Sequence, residues 1–347
     1  MAAKTNTKTH KGRSEPTTTL PARYYHDSGI YETEREGVFF SQWLLFGHES
    51  ALPEPGNRLA QSIAGRPVFV IRDNNGELKG FHNVCRHRAA RLFSDGIGRS
   101  QVLRCPYHGW VYDMSGTLKK APDFGDDDSK PCENLALYPV HVRVWNHLVF
   151  ICMATDPPSF EEALGDLPDL VKDMNFGEYE FHQIAEHELA CNWKTYAENY
   201  LEGYHIPDVH PGLNKEVDMA SYRVIPGRKI AQHISEAKID DPVNDGLWVW
   251  LWPHGALNIY ADGMNLELMI PTGPQSMTLS YCYLFKPEAK SRQKTISMSE
   301  EVTQEDIQIC EIVQENLAAG IYDTGILSPK HEQGVAYFQS LVRAAHK

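Results

Sequence analysis

Two short spacings constrain this chain more than anything else in it: Cys85-Arg86-His87 and, after 17 residues, Cys105-Pro106-Tyr107-His108. Each puts a thiol and an imidazole within one tight turn. The sequence around them reads as β-hairpins. Pro67–Asp73 and Glu77–Val84 are apolar or alternating, with Asn74-Asn75-Gly76 as the turn between them. Gly109–Leu118 repeats the pattern around Ser115-Gly116. Two hairpin tips can therefore clamp one centre from opposite sides. Two Cys and two His suit a tetrahedral zinc site. They equally suit a [2Fe–2S] cluster in which two His replace two Cys on one iron. Zinc fingers usually separate a Cys half from a His half, whereas here both halves are mixed. Mixed halves let each Cys bind one iron while each His reaches the other.

The rest of the chain narrows the setting. Its 347 residues suggest about two domains. Residues 1–19 read as a disordered tail of charge +3, leaving −16 on the remainder of a chain whose net charge is −13. That balance argues against nucleic-acid binding. No run approaches the ~20 apolar residues of a membrane span, and the N-terminus lacks a secretory segment. Seven cysteines, an odd number in a large chain, do not make a disulfide scaffold. The expectation is a reduced, cytoplasmic protein. Cys132, Cys152, Cys191, Cys282 and Cys310 read as packing residues, and Asp123, Asp126, Asp127 and Asp128 as a solvated loop. Residues 20–44 suggest an N-terminal helix and 45–155 a β-rich domain, with Asp156-Pro157-Pro158 as the boundary. From Ser159, an N-cap candidate, residues 156–347 alternate helical and strand patterns. They include a meander over 248–285 and helices over 303–319 and 332–344.

A second constellation lies in Asn192–Gly212. His205 and His210 are five residues apart, about 140° around an unbroken helix, so they could not share a metal there. Pro207 disfavours helix at Ile206. The spacing therefore predicts a helix ending near His205 and a loop returning His210 beside it. Two His and one carboxylate form the facial triad of non-haem Fe(II) oxygenases. Asp208 would need a very tight loop. Glu202, one turn before His205, could buttress rather than ligate. The third option is the downstream run Gln304–Glu311, which carries Glu305 and Asp306 and reads as the opening of a C-terminal helix.

On these residues the sequence resembles a Rieske domain over 45–155, where the C-x-H…C-x2-H pattern ends in Gly109-Trp110. Over 24–345 it resembles the oxygenase (alpha) component of a Rieske non-haem iron oxygenase. The match rests on Asn192, Trp193, Lys194, Glu202, His205 and His210. The C-terminal stretch is similar to the quaternary-amine branch that includes choline monooxygenase. The resemblance implies an α+β chain: an all-β Rieske [2Fe–2S] domain, with Cys85, His87, Cys105 and His108 as ligands, plus a helix-grip-like catalytic domain with an antiparallel sheet flanked by helices. It implies mononuclear Fe(II) held by His205, His210 and Asp306, with Glu305 as runner-up. Glu202, where many members have Asp, becomes the electron-transfer bridge. It further implies use of O2, and NAD(P)H only through a partner, a flavin/iron–sulfur reductase or ferredoxin. A homotrimer in which one subunit's cluster serves its neighbour's iron is also expected.

Three functions compete on the sequence: an oxygenase, a zinc-stabilised ligand-binding protein, and a pure electron carrier. The expected substrate is a small molecule. Trp248, Trp250, Trp252 and Tyr260 fall on the meander and could form an aromatic wall for a quaternary ammonium, or could be ordinary strand core. An aromatic-ring or aromatic-acid dioxygenase is the alternative, with Arg223 and Arg228 as candidate anion partners.

Overall fold

The computed structural model describes residues 17–125, 135–235 and 246–347. The chain is α+β, as the sequence implied. Ten strands build the first half: β1 (Leu44–His48), β2 (Asn57–Ile63), β3 (Arg66–Arg72), β4 (Leu78–His82), β5 (Gly96–Arg99), β6 (Leu103–Arg104), β7 (Val111–Tyr112), β8 (Leu118–Lys120), β9 (Pro139–Trp145) and β10 (Leu148–Cys152). Seven form one antiparallel sheet in the order β1-β10-β9-β4-β3-β2-β5, and β6-β7-β8 form a small second sheet. The second half adds β11 (Glu180–Leu189), β12 (Arg223–Pro226), β13 (Ile230–Ile234), β14 (Leu247–Leu251), β15 (Gly255–Ile259), β16 (Gly263–Gly273) and β17 (Ser276–Phe285). They make an antiparallel sheet ordered β11-β17-β16-β15-β14-β13-β12.

Eight α-helices accompany the sheets among the described residues: α1 (Ser28–Glu34), α2 (Phe160–Leu164), α3 (Leu167–Leu170), α4 (Trp193–Tyr200), α5 (Ile206–Val209), α6 (Leu213–Glu216), α7 (Arg292–Ala318) and α8 (Gln333–Ala345). None is long and apolar enough to cross a membrane. Two buried cores divide the molecule. One gathers Phe69, Phe81, Cys85, Cys105, Trp110 and Tyr112 around the hairpin tips. The other joins β1 and β10 to the large sheet and its helices.

Several boundaries differ from those the sequence suggests. Thr17–Thr19, expected in the disordered tail, pair with Gly325–Leu327 through Thr19 N to Gly325 O (3.1 Å) and Leu327 N to Thr17 O (2.8 Å). Residues 1–16, Asp126–Asp128 and Cys132 lie outside the described residues. The helix capped by Ser159 is two short ones, α2 and α3, because Gly165 takes a positive φ of 59° between them. Helix α7 begins at Arg292, well before residue 303, so Gln304–Glu311 sits within it rather than opening it.

The start of α4 is held from two directions. Asn192 caps it, its side chain accepting from Lys194 N, and its Nδ2 donates to Pro274 O at 2.7 Å. Lys194, fully buried, meets Glu34 of α1 at 2.8 Å, and Trp193 Nε1 donates to the same carboxylate at 3.0 Å. His346, just after α8, approaches Glu34 at 3.4 Å. Burial pushes the Glu34 carboxyl up, but Lys194 and the surrounding donors outweigh it and hold the group below its ordinary value. Removing one partner of such a pair leaves a bare buried charge. Glu34→Ala is expected to lose about 3–5 kcal/mol of stability in denaturant unfolding; a loss under ~1 kcal/mol would show the pair to be dispensable.

His254, between β14 and β15, is also fully buried, and neither ring nitrogen has a hydrogen-bond partner among the described residues. Burial pushes it down to about 3. An unfolded chain gains a proton there below about 6.5, and the native chain does not. The two unpartnered nitrogens carry a pH-independent desolvation cost, and the titration adds to it progressively from 6.5 towards 3. His254→Leu is expected to be more stable than the parent. Its advantage should widen below pH 6.5 by up to about 1.4 kcal/mol per pH unit; a pH-independent difference would refute the assignment.

Candidate cluster and iron sites

The two hairpin tips are built alike. In the first, Cys85 N donates to Ala90 O at 2.8 Å and Ala89 N to Cys85 O at 3.1 Å; in the second, Cys105 N donates to Trp110 O at 2.8 Å and Gly109 N to Cys105 O at 3.1 Å. The fifth residue of each turn has a left-handed backbone, φ 57° at Ala89 and 69° at Gly109. The equivalent turns leave both cysteines buried and both histidines at the surface. His87 and His108 face each other, Nδ1 to Nδ1 at 3.1 Å, and the His87 ring stacks on Trp110 at 4.8 Å. Burial raises the Cys85 thiol; Tyr112, 3.3 Å from its sulfur, opposes that rise and Cys105 adds to it.

These donors discriminate between the two metals that their spacing allows. Four donors on one zinc, at 2.0–2.3 Å, would all lie roughly 3.3–3.8 Å apart. Among the described residues, the only group of three or more His, Cys, Asp or Glu donors lying within 4.8 Å of one another is elsewhere in the chain. Paired imidazoles at the surface and thiols behind them fit a two-iron cluster, with one iron for each ligand type.

That other group is His205, His210 and Asp306. His205 Nε2 lies 3.1 Å from His210 Nε2, and Asp306 Oδ1 lies 3.0 Å from His210 Nε2 and 3.7 Å from His205 Nε2. Two donors at right angles on bonds of about 2.1 Å stand about 3 Å apart, so the triangle fits one face of a metal ion. Each histidine has a carboxylate behind it. His205 Nδ1 meets Glu202, and His210 Nδ1 meets Glu305 at 2.6 Å. A carboxylate only accepts, so Nδ1 carries the proton in each ring and Nε2 turns its lone pair to the common point. Burial disfavours a charged His210, yet Asp306 and Glu305 prevail and raise it above its ordinary value. Asn199 of α4 donates to Asp306 Oδ1 at 2.6 Å.

The chain reaches this geometry by a route other than the one its sequence suggests. Helix α4 ends at Tyr200, before Glu202, so Glu202 is not on the helix face of His205. It sits in the following loop, accepting from the backbone N–H groups of Tyr204 and His205. The helix stops where Gly203 passes under Tyr222; a Cβ there would lie 2.1 Å from that ring. Pro207 does not break the helix. It occupies the first turn of α5, where its missing N–H costs nothing. Asp306 lies mid-helix in α7. Asp208 is exposed on α5 and outside the triangle, and Glu305 contacts a histidine's far nitrogen rather than the triangle.

A cavity opens beside the triangle, lined by residues between Tyr196 and Asp306, none of them from the hairpin domain. Trp248 and Tyr260 line it, their rings 6.2 Å apart. Trp250 does not. It shares Trp248's strand face, but farther along that face α8 covers it, with Phe338 at 5.4 Å, and it is core. Arg223 and Arg228 are absent from the lining, and Arg228 pairs with Asp166 at 3.3 Å. The sequence reading missed Asn199, Tyr200, Tyr222 and Glu267, all of them cavity residues. A single Glu within the apolar run of β16 was the available signal for the last. Glu202 lines this cavity and also a second one on its other side, beside Asn199, Cys310, Val313 and Tyr322.

The two sites are separable by substitution. Asp306→Ala is expected to lose mononuclear iron and leave the visible spectrum of the cluster intact, whereas Cys105→Ser should bleach that spectrum. Full iron in Asp306→Ala, or an unchanged spectrum in Cys105→Ser, would contradict the ligand sets.

Comparison with known proteins agrees with this two-site layout. Residues 42–139 match the Rieske [2Fe-2S] domain family, and residues 176–244 and 226–347 match the ring hydroxylating alpha subunit (catalytic domain) family. The chloroplastic choline monooxygenase of Arabidopsis thaliana is 29% identical, over 90% of this chain and 79% of its own. The carnitine monooxygenase oxygenase subunit of Acinetobacter pittii is 28% identical, over 95% of each. Among solved structures, the quaternary ammonium Rieske monooxygenase CntA superposes with a TM-score of 0.88 at 26% identity, over 96% of each chain. The naphthalene 1,2-dioxygenase of Rhodococcus sp. (TM-score 0.76, 20% identity, over 91% of this chain and 86% of its own) shares the fold. The chain belongs to the Rieske non-haem iron oxygenases and is their oxygenase (alpha) component, an oxidoreductase with a Rieske cluster, a mononuclear iron and O2 as co-substrate.

Proposed function

We propose that this oxygenase hydroxylates, or oxidatively demethylates, a small quaternary ammonium compound. The observation that carries the reading is the cavity beside the triangle: aromatic rings line it, and no Lys or Arg does so among the described residues. Aromatic faces attract a cation that cannot donate hydrogen bonds. An aromatic carboxylate would find hydrogen-bond donors but no Lys or Arg there. The choline and carnitine monooxygenases among the relatives support the same reading.

In this proposal Cys85, His87, Cys105 and His108 hold the cluster within 45–155, and His205, His210 and Asp306 hold iron within 156–347, with 20–44 packed on the latter. Bound there, the cluster supplies single electrons and the iron is where O2 is activated. The balance is one C–H bond, O2, two electrons and two protons giving one C–OH and water. The chain's own groups position the parts. Glu202 and Glu305 fix the proton on each far nitrogen, and Asn199 fixes the Asp306 carboxylate. The aromatic wall holds the substrate and keeps water from it.

Electrons would come from NAD(P)H through a separate reductase or ferredoxin and cross between subunits of a head-to-tail homotrimer. Three features support this. His87 and His108 stand at the surface. Glu202 reaches both the iron cavity and the second cavity. The second cavity is bordered by exposed Ile312, Val313 and Tyr322. Solved quaternary ammonium Rieske monooxygenase, described for carnitine oxidation and inter-subunit electron transfer, has the same fold (TM-score 0.87, 25% identity, over 96% of each chain). A carboxylate accepting an imidazole N–H from each side would make Glu202 the bridge.

With a reductase supplied, trimethylammonium compounds are expected to stimulate O2 uptake and aromatic carboxylates are not; stimulation by the carboxylates alone would overturn the assignment. In single turnover of pre-reduced protein, Glu202→Gln should keep both metals yet reoxidise its cluster more slowly, and an unchanged rate would remove the bridging role.

A further inference from the structure

Glu267 stands in the middle of β16, within the run Gly263–Pro271 that is buried throughout. Its carboxylate is 3% exposed as a residue and lines the cavity beside the iron triangle. Its hydrogen-bonding needs are met: Tyr281 Oη donates to Oε1 at 2.9 Å and Asn258 Nδ2 to Oε2 at 2.8 Å. Asn258 is itself fixed, accepting from Tyr200 Oη at 2.8 Å and donating to Asn265 at 2.9 Å. The charge of this group is not met. No Lys, Arg or His among the described residues forms an ion pair with it, unlike Glu34 against Lys194. An ionised carboxylate without a counter-charge is costly to bury.

We infer that Glu267 is the counter-ion for the substrate's ammonium group, facing it across a cavity walled by Tyr196, Tyr200, Tyr222, Trp248, Tyr260 and Tyr281. The inference rests on the quaternary-ammonium reading and names the residue that enforces it. The fit is chemical on both sides. A trimethylammonium group has no N–H and requires no acceptor. The carboxylate requires donors and already has two from the protein. What each lacks is opposite charge at close range, in surroundings where aromatic faces replace water. Burial raises the Glu267 carboxyl to about 7. A cation alongside would hold it ionised.

The test separates charge from shape. Anaerobic calorimetry on the holoenzyme compares two trimethylammonium ligands with their tert-butyl isosteres, in which carbon replaces nitrogen: choline with 3,3-dimethylbutan-1-ol, and glycine betaine with 3,3-dimethylbutanoate. The parent is expected to prefer the ammonium member of at least one pair by about 100-fold or more, since a desolvated charge pair combines with cation–π attraction. Glu267→Gln, which keeps shape and volume, should reduce that preference at least about tenfold while changing affinity for the isostere less than threefold. Glu267→Asp should keep most of the preference, because it keeps the charge. An ammonium preference surviving intact in Glu267→Gln would overturn the counter-ion role and leave the substrate reading standing. A parent enzyme with no ammonium preference in either pair would overturn both.

Discussion

The buried pair between Lys194 and Glu34 is the contact on which the iron site depends. It joins the first turn of α4 to α1, while Trp193 and His346 converge on the same carboxylate. An N-terminal segment and the last residues of the chain are thereby tied to one helix. That helix sets the direction of everything after it. Its last turn carries Asn199 to Asp306 and Tyr200 to Asn258, and the chain leaves it at Gly203 towards His205. Well-packed apolar residues could fill the same volume with little loss of stability. What an ion pair adds is direction: a salt bridge with three donors on one carboxylate admits one orientation of α4.

Around the triangle, carboxylates divide the labour. Asp306 faces the common point, Glu305 sits behind His210, and Glu202 sits behind His205. Three acids near two imidazoles would repel one another without a cation between them. The ion that the triangle fits supplies that charge, and the ring Nδ1–H groups supply donors. Glu202 differs from Glu305 in lining both cavities. The same carboxylate that fixes a ligand's tautomer is therefore within reach of whatever covers that face.

The candidate metal ligands are legible in the sequence because donor chemistry is local. A Cys and a His two or three residues apart on a hairpin tip can hardly point elsewhere, and His205 with His210 leaves little choice of partner. What the sequence hides is set by packing at a distance. The end of α4 depends on Tyr222 passing over Gly203, nineteen positions away in the chain. Pro207 reads as a breaker but also suits the first turn of a new helix, and only the loop before it selects that second use. Trp248 and Trp250 have the same strand phase. They part because Phe338 of α8 covers one and not the other. Asp306 was reachable by resemblance, whereas its place within α7 follows from an upstream extension that begins in a polar stretch with weak amphipathic signal.

The two cysteine–histidine turns close on backbone hydrogen bonds of their own, matched in length from one turn to the other. Their shape is a property of the polypeptide. Turns held by hydrogen bonds of their own leave less of a bound centre's free energy to be divided with the ordering of chain. The matching of the turns adds a second economy of design: one local solution, used twice, presents two thiols on the inside and two imidazoles on the outside. Polarity across the centre is thus built into the fold.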